Sequence, residues 1–155
     1  MKKGLINKLT QLYTGELVSI VVFLSIYYWK FKDFVLPVFY PLLVLCFILF
    51  QGALYWFICL QRLKGKYIKN VGGGFYIIKY FNLALIVVSI PAILIGNYDN
   101  VFHIIIGFFL LLFAIVEWIN YFVVRLSYRN PRILIVLMKH RKLKKSKLAK
   151  EIAER

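Results

Sequence analysis

Four long apolar runs, separated by short polar connections, constrain the fold of this chain more than any other feature of its sequence. A helix that crosses a bilayer needs roughly 20 predominantly apolar residues, and lipid offers its backbone no hydrogen-bond partner. The chain is also 62% hydrophobic, which exceeds the usual content of soluble domains. We therefore predict an all-α polytopic membrane protein with four transmembrane helices. The spans are expected at approximately 13–29, 35–60, 75–96 and 101–124.

Both ends of the chain carry polar segments that are not expected to cross the bilayer. Residues 2–13 place leucines and lysines on different sides of a helix, which predicts an amphipathic helix on the membrane surface. A polar stretch that ends at Pro131 predicts the end of the fourth helix. We expect the transmembrane domain, with its surface helix, to cover 1–131, and 132–155 to form a basic tail at the cytoplasmic interface.

Positive charge is distributed unevenly among the connections. The chain has 21 Lys+Arg against 6 Asp+Glu, a net charge of +15. The N-terminal segment, the connection 61–74 and the tail are rich in Lys and Arg, whereas the other two turns hold only Lys30 and Lys32. Because cytoplasmic loops are enriched in Lys and Arg, we predict a multi-pass protein of the cell (cytoplasmic) membrane with both termini in the cytoplasm.

The tail carries more positive charge than orientation alone requires. Each Lys or Arg near an anionic leaflet contributes about 1 kcal/mol to binding. We therefore expect the tail to bind anionic lipid headgroups or a partner protein. Nucleic acid is not expected, since no nucleic-acid-binding motif accompanies the charge. The residues predicted to make these contacts are Lys139, Arg141, Lys142, Lys144, Lys145, Lys147 and Lys150.

One carboxylate, Glu117, lies within the fourth apolar run. A charge at the bilayer centre costs roughly 2.5–3.5 kcal/mol on insertion scales, so this group needs a partner, water or a proton. Two interpretations stay open. One is a structural contact, such as a Lys79–Glu117 ion pair; the other is a cytoplasm-facing cavity whose carboxylate takes a proton, a cation or a headgroup. The polar cluster predicted around Glu117 comprises Lys79, Asn82, Gln51, Glu16, Asn120, Tyr121 and Arg125.

A shift of 66 residues aligns the two halves of the chain. It places Glu16 on Asn82 and Gln51 on Glu117. Apolar sequences also match by chance, so the alignment favours two tandem hairpin repeats without requiring them. Parallel repeats of this kind occur in transporter folds, with sites near the interface of the repeats.

The sequence contains no residue pattern typical of a catalytic or metal centre. Cys46 and Cys59 lie in one apolar run and would be roughly 20 Å apart on a helix, too far for a disulfide. Neither a Ser/His/Asp or paired-carboxylate pattern nor a Cys/His ligand set is present, and no cofactor is expected. We predict a non-enzymatic accessory protein that binds anionic lipid or a partner through its basic inner face. Activity on a lipid stays open as an alternative.

A small oligomeric transporter, pore or holin-like subunit is the second expectation, with the intramembrane carboxylate acting in transport. The chain's size and number of spans are similar to those of small multidrug transporters, which carry their key glutamate in the first span. Here Glu16 lies at the margin of that span, and the long basic tail departs from the transporter pattern. A homo-oligomer or a membrane protein partner is compatible with both expectations.

Overall fold

The computed structural model describes residues 2–66, 68–95, 101–124 and 144–154. Within these ranges the fold is all-helical, which confirms the predicted fold class. The helices are α1 (Lys2–Lys30), α2 (Leu36–Leu63), α3 (Val71–Ile95), α4 (Val101–Phe122) and α5 (Lys147–Ala153).

Four of these helices, α1 to α4, are long and apolar enough to cross a membrane. The shortest, α4, has 22 residues, which at 1.5 Å per residue gives about 33 Å, against about 30 Å of hydrocarbon in a bilayer. Large apolar side chains face outward along all four helices, among them Trp29, Ile77 and Phe109. An apolar surface of this extent suits lipid and not water. The prediction of a multi-pass membrane protein is confirmed.

Two helix boundaries differ from the predicted segments. α1 continues without a break through residue 13, where the sequence suggested that a surface helix leads into a span. α3 already begins at Val71, so the three glycines before the predicted third span lie in its first turn. Asn70 turns the chain with a φ of 56°, and its carbonyl accepts the N–H of Gly74 at 3.3 Å. These glycines therefore belong to the hydrogen-bonded helix, although three consecutive glycines in a sequence suggest a flexible connection.

α2 is the central helix of the bundle and packs against α1, α3 and α4. Its side chains Leu45 and Ile48 are completely buried, and most of its length is shielded from the surroundings. α1 is peripheral, because most of its side chains face outward. The core of the protein is therefore the set of surfaces that converge on α2.

Aromatic contacts fix the relative directions of the helices. Near the middle of α1, Tyr13 meets Phe57 of the C-terminal part of α2, with ring centroids 5.8 Å apart. Near the C-terminal end of α1, Tyr27 meets Phe39 of the N-terminal part of α2 at 5.3 Å. α1 and α2 are therefore antiparallel. Ring contacts between α2 and α3, and between α1 and α4, show in the same way that each of these two pairs is antiparallel. The four long helices form an up-down-up-down bundle.

Two glycines let α2 and α4, which run parallel, approach closely. A Cβ at Gly107 would overlap the carbonyl oxygen of Pro37, and a Cβ at Gly52 would overlap the ring of Tyr121. Small residues at helix contacts in membranes permit this backbone approach. Gly52 also leaves the space in which the Tyr121 side chain lies, so this contact positions a residue of the predicted polar cluster.

The alternating helix directions gather the charged segments at one end of the bundle, which we call the basic end. It contains the start of α1, the connection 64–70 and α5. The turn at the opposite end holds Lys32 and Asp33. The described basic residues of the basic end are Lys3, Lys8, Arg62, Lys64, Lys66, Lys69, Lys144, Lys145, Lys147 and Lys150.

α5 packs on this end of the bundle, against α3 and α4. Leu148 is 2% exposed and Ile152 is 8% exposed, so both apolar side chains of the short helix are buried. This part of the tail thus belongs to the folded core. The apolar segment 132–138 and the rest of 125–143 lie outside the described residues.

Candidate functional site

A buried polar contact joins α2 to α3. The side-chain amide of Gln51 donates to Asn82 Oδ1 at 3.0 Å, and that of Asn82 donates to Gln51 Oε1 at 2.5 Å. Both residues are buried, at 3% and 0% exposure. Each amide thus satisfies a donor and an acceptor of the other, so the pair holds the helices together without a net charge.

A second polar contact joins α1 to α4. The hydroxyl of Tyr121 donates to Glu16 Oε1. The ring of Tyr121 lies over Gly52 of α2. Residues of three helices therefore meet around one phenol, with the Glu16 carboxylate on the α1 side.

Glu117 lies on α4, one turn before Tyr121, and is half-buried. The amide of Asn120 donates to Glu117 Oε2 at 3.4 Å. The Glu117 carboxylate is also within electrostatic range of Glu16 and Tyr121. The structure thus brings together four of the predicted cluster residues, and two of them are carboxylates from different helices.

The structure forms no ion pair between Lys79 and Glu117, both of which are described residues; this pair was the example given for one of the two open interpretations of Glu117. The Lys79 ammonium lies 5.8 Å from the ring centroid of Tyr80. The backbone carbonyl of Lys79 accepts the indole N–H of Trp118 at 3.1 Å. The physical reason is rotational: similar depth along two helices does not place two side chains on facing surfaces. Arg125 lies outside the described residues.

The polar pairs agree with the 66-residue shift found in the sequence. Gln51 of α2 pairs with Asn82 of α3, and their shifted counterparts are Glu117 of α4 and Glu16 of α1. These counterparts are within electrostatic range of each other, and Glu16 accepts the hydroxyl of Tyr121. The amide pair between α2 and α3 therefore corresponds, under the 66-residue shift, to the two carboxyl groups of α4 and α1.

At the basic end, Ser146 fastens α5 to the end of α4. Its hydroxyl donates to the carbonyl of Tyr121 and accepts the N–H of Ala149 at 2.9 Å, which makes Ser146 the N-cap of α5. Its backbone N–H donates to the carbonyl of Val123 at 3.2 Å. Because Tyr121 also binds Glu16, one residue connects the seat of α5 with the polar contact between α1 and α4.

Glu151 of α5 receives two donors from α2. Arg62 Nη1 lies 2.5 Å from Glu151 Oε1, and the hydroxyl of Tyr55 donates to Oε2 at 3.3 Å. The other guanidinium nitrogen, Nη2, donates to the carbonyl of Ile68 at 3.0 Å. Sequence reasoning missed this group, although Glu151 and Glu154 are the only acidic residues in the basic tail, and an acidic residue in such a tail is itself a signal.

A groove of about 720 Å³ opens at the basic end, between α5 and the connection from α2 to α3. One wall carries Arg62, Lys66 and Lys69, and the other carries Glu151 and Glu154. The groove is therefore open to the surroundings and bounded by groups of opposite charge.

The predicted lipid-binding lysines that the structure describes lie on and beside α5. Lys144, Lys145, Lys147 and Lys150 are exposed, and the ammonium of Lys147 lies 3.7 Å from the sulfur of Cys59. The other three predicted residues, Lys139, Arg141 and Lys142, lie outside the described residues. Lys144, Lys145 and Lys150 are thus exposed at the basic end, whereas the Lys147 ammonium lies against Cys59.

No protein-family model, curated protein or solved structure matches this chain. Among the described residues, no group of three His, Cys, Asp or Glu side chains could hold a metal ion. A helical bundle by itself is compatible with many functions, so the polar clusters and the basic end are the features that bear on function.

Replacing Gln51 by leucine should leave the buried amide of Asn82 without its partner. We expect this change to lower the free energy of unfolding by roughly 1–3 kcal/mol, the cost of an unsatisfied buried polar group. The double variant Gln51→Leu/Asn82→Leu should recover most of that loss, because no unpaired amide remains. Titration of the protein in mixed micelles with a denaturing detergent, followed by circular dichroism, measures both effects.

Ser89→Ala is the matched control for this cycle, since the buried hydroxyl of Ser89 bonds only the carbonyl of Leu85 in its own helix among the contacts described. It should change stability little. Simple addition of the two single-variant losses in the double variant would contradict the reciprocal pairing of the amides.

Proposed function

We propose that this chain is a non-enzymatic accessory protein of the cell membrane that binds anionic lipid at its basic end. The observation that carries the proposal is the convergence of separate basic segments on one end of the bundle. Lysines from the start of α1, from the connection 64–70 and from α5 share this end, although they are far apart in sequence. The opposite turn offers only Lys30 and Lys32, partly offset by Asp33.

Orientation follows from the same asymmetry. Lys and Arg are retained on the cytoplasmic side of membrane proteins, so the basic end would face the cytoplasm. The cytoplasmic leaflet is also the anionic one, and its surface potential attracts juxtamembrane lysines within about one Debye length. The exposed lysines of α5 would therefore lie next to anionic headgroups.

Lipid selection can be measured by quenching tryptophan fluorescence with brominated phospholipids in reconstituted vesicles. Trp29→Phe removes the tryptophan at the opposite end and leaves Trp56 and Trp118 near the basic end. In this background we expect brominated phosphatidylglycerol to bind more tightly than brominated phosphatidylcholine. Replacing Lys144, Lys145, Lys147 and Lys150 by glutamine should reduce that preference by about tenfold or more, because each lysine contributes about 1 kcal/mol near an anionic surface.

The matched control is Lys30→Gln/Lys32→Gln, which removes charge from the opposite end. It should leave quenching of Trp56 and Trp118 unchanged. Glutamine substitution is preferable to deletion of the tail, since deletion would also remove the buried Leu148 and Ile152. Equal affinity for both lipids in the unmodified protein would refute the proposed function.

A small transporter or pore subunit is a second candidate, favoured by one specific observation. Glu16 of α1 and Glu117 of α4 are within electrostatic range of each other, and Glu16 accepts the hydroxyl of Tyr121. Ionisable groups within membrane segments are frequently parts of proton or ion pathways, and two carboxylates that interact favour such a role more than one.

Proton flux into vesicles that contain a pH-sensitive dye tests this second candidate. If the pair takes part in transport, Glu117→Gln should slow the flux or change its pH dependence with the helical content preserved, because an amide cannot release a proton. Glu154→Gln, a change of an exposed carboxylate at the basic end, is the control and should have no effect. Flux through the unmodified protein that equals the flux of empty vesicles would reject transport of protons.

A further inference from the structure

The contact between α5 and α2 holds a carboxylate at a place suited to a larger anion. Arg62 and Tyr55 direct a guanidinium and a phenol toward the same group, and Glu151 supplies the two oxygens that accept them. A planar guanidinium matches phosphate oxygens as well as carboxylate oxygens. The donors that fasten α5 to the bundle are thus donors that also bind phosphate.

The two walls of the groove carry opposite charges for a reason that lies in the sequence. The end of α2 contributes Arg62 and the connection 64–70 contributes Lys66 and Lys69, and the stretch 61–74 contains no acidic residue. The acidic groups of the groove, Glu151 and Glu154, both come from the C-terminal segment. If α5 moved away, the charged groups that remain in the lining would all be basic.

Two features of α5, its length and the exposure of its ion pair, favour displacement from the bundle. A seven-residue segment is too short to be a stable helix on its own, so α5 depends on its cap at Ser146, on two buried apolar side chains and on Glu151. The Arg62 side chain is 36% exposed and that of Glu151 is 23% exposed. Solvent and ions therefore reach the ion pair, and its attraction is screened.

We propose that α5 is a displaceable cover over a phosphate site, in which a phosphate monoester replaces Glu151 against Arg62 and Tyr55. The proposal rests on the proposed function and adds a ligand class and a form of regulation to it. A phosphate monoester carries about −1.5 to −2 charges and three acceptor oxygens, so it competes with a single carboxylate. Binding releases α5, and the lysines of α5 are then free to lie on the membrane surface.

Gly72 provides a way to open the cover without changing any charge. A Cβ at Gly72 would lie 2.5 Å from the carbonyl oxygen of Glu151, whereas a Cβ at Gly73 would meet nothing within 4 Å. Gly72→Ala should therefore displace the backbone of α5 from its contact with α3. Gly73→Ala changes the same helix by the same atoms and is the matched control.

Hydrogen exchange of the backbone amides of 147–153, measured by mass spectrometry in lipid nanodiscs, reports the position of α5. Three conditions are compared: phosphatidylcholine alone, phosphatidylcholine with phosphatidic acid, and phosphatidylcholine with inorganic phosphate in the buffer. Phosphatidic acid should accelerate exchange by about tenfold or more, as expected when a local helix opens. Acceleration by inorganic phosphate as well would assign the site to free phosphate, and acceleration by the lipid alone would assign it to a headgroup.

Two variants should open the cover in phosphatidylcholine alone. Gly72→Ala acts through the backbone clash and Glu151→Gln through loss of the ion pair, so both should accelerate exchange and increase affinity for phosphatidic acid. Gly73→Ala should behave like the unmodified protein. An unchanged far-UV circular dichroism spectrum in each variant shows that the bundle is retained.

The outcomes separate this proposal from the one on which it rests. Selective binding of phosphatidic acid with unchanged exchange in α5, and no effect of Glu151→Gln, would overturn the cover while the proposed lipid binding stands. Absence of any preference for anionic lipid, together with unchanged exchange under all three conditions, would overturn both.

Discussion

Hydrocarbon offers no hydrogen-bond partner to a peptide group, so a chain that crosses it must satisfy its backbone within helices. The four apolar helices of this protein follow from that constraint, and their alternating directions follow from the connections between them. The same alternation determines where charge can collect. Every second connection lies at one end of the bundle, and the basic connection 64–70 shares that end with α5 and the start of α1.

Inside the bundle, close packing and polar pairing replace the hydrophobic effect, because lipid is as apolar as the side chains that leave it. Gly52 and Gly107 allow α2 and α4 to meet, and Gln51 and Asn82 join α2 to α3 without charge. Tyr121 takes part in both the close packing of helices and the polar pairing. Its ring fills the space at Gly52, its hydroxyl binds a carboxylate of α1, and its carbonyl holds the segment that leads into α5.

Run length and charge predicted the four long helices and the basic end, because a bilayer fixes both the length of a span and the distribution of lysines. The rotation of each helix about its axis cannot be predicted from run length or charge. This rotation determines that Lys79 forms no ion pair with Glu117, whereas Glu16 lies within electrostatic range of Glu117. The contact of Glu151 with Arg62 joins residues 89 positions apart and depends on how α5 folds back, which periodicity does not reveal. The sequence predicts a connection at Gly72, because glycine has a low helix propensity; tertiary packing overrides that propensity in the structure.

The central claim is that four crossings leave the whole basic end on the cytoplasmic side. Single cysteines at Lys66, Glu154 and Phe34, introduced one at a time after replacement of Cys46 and Cys59, test it with a membrane-impermeant maleimide. In intact cells the cysteine at Phe34, which lies in the opposite turn and is 67% exposed, should react at once. The cysteines at Lys66 and Glu154 should react only after the membrane is permeabilised. Rapid labelling of either of these two in intact cells would contradict the account.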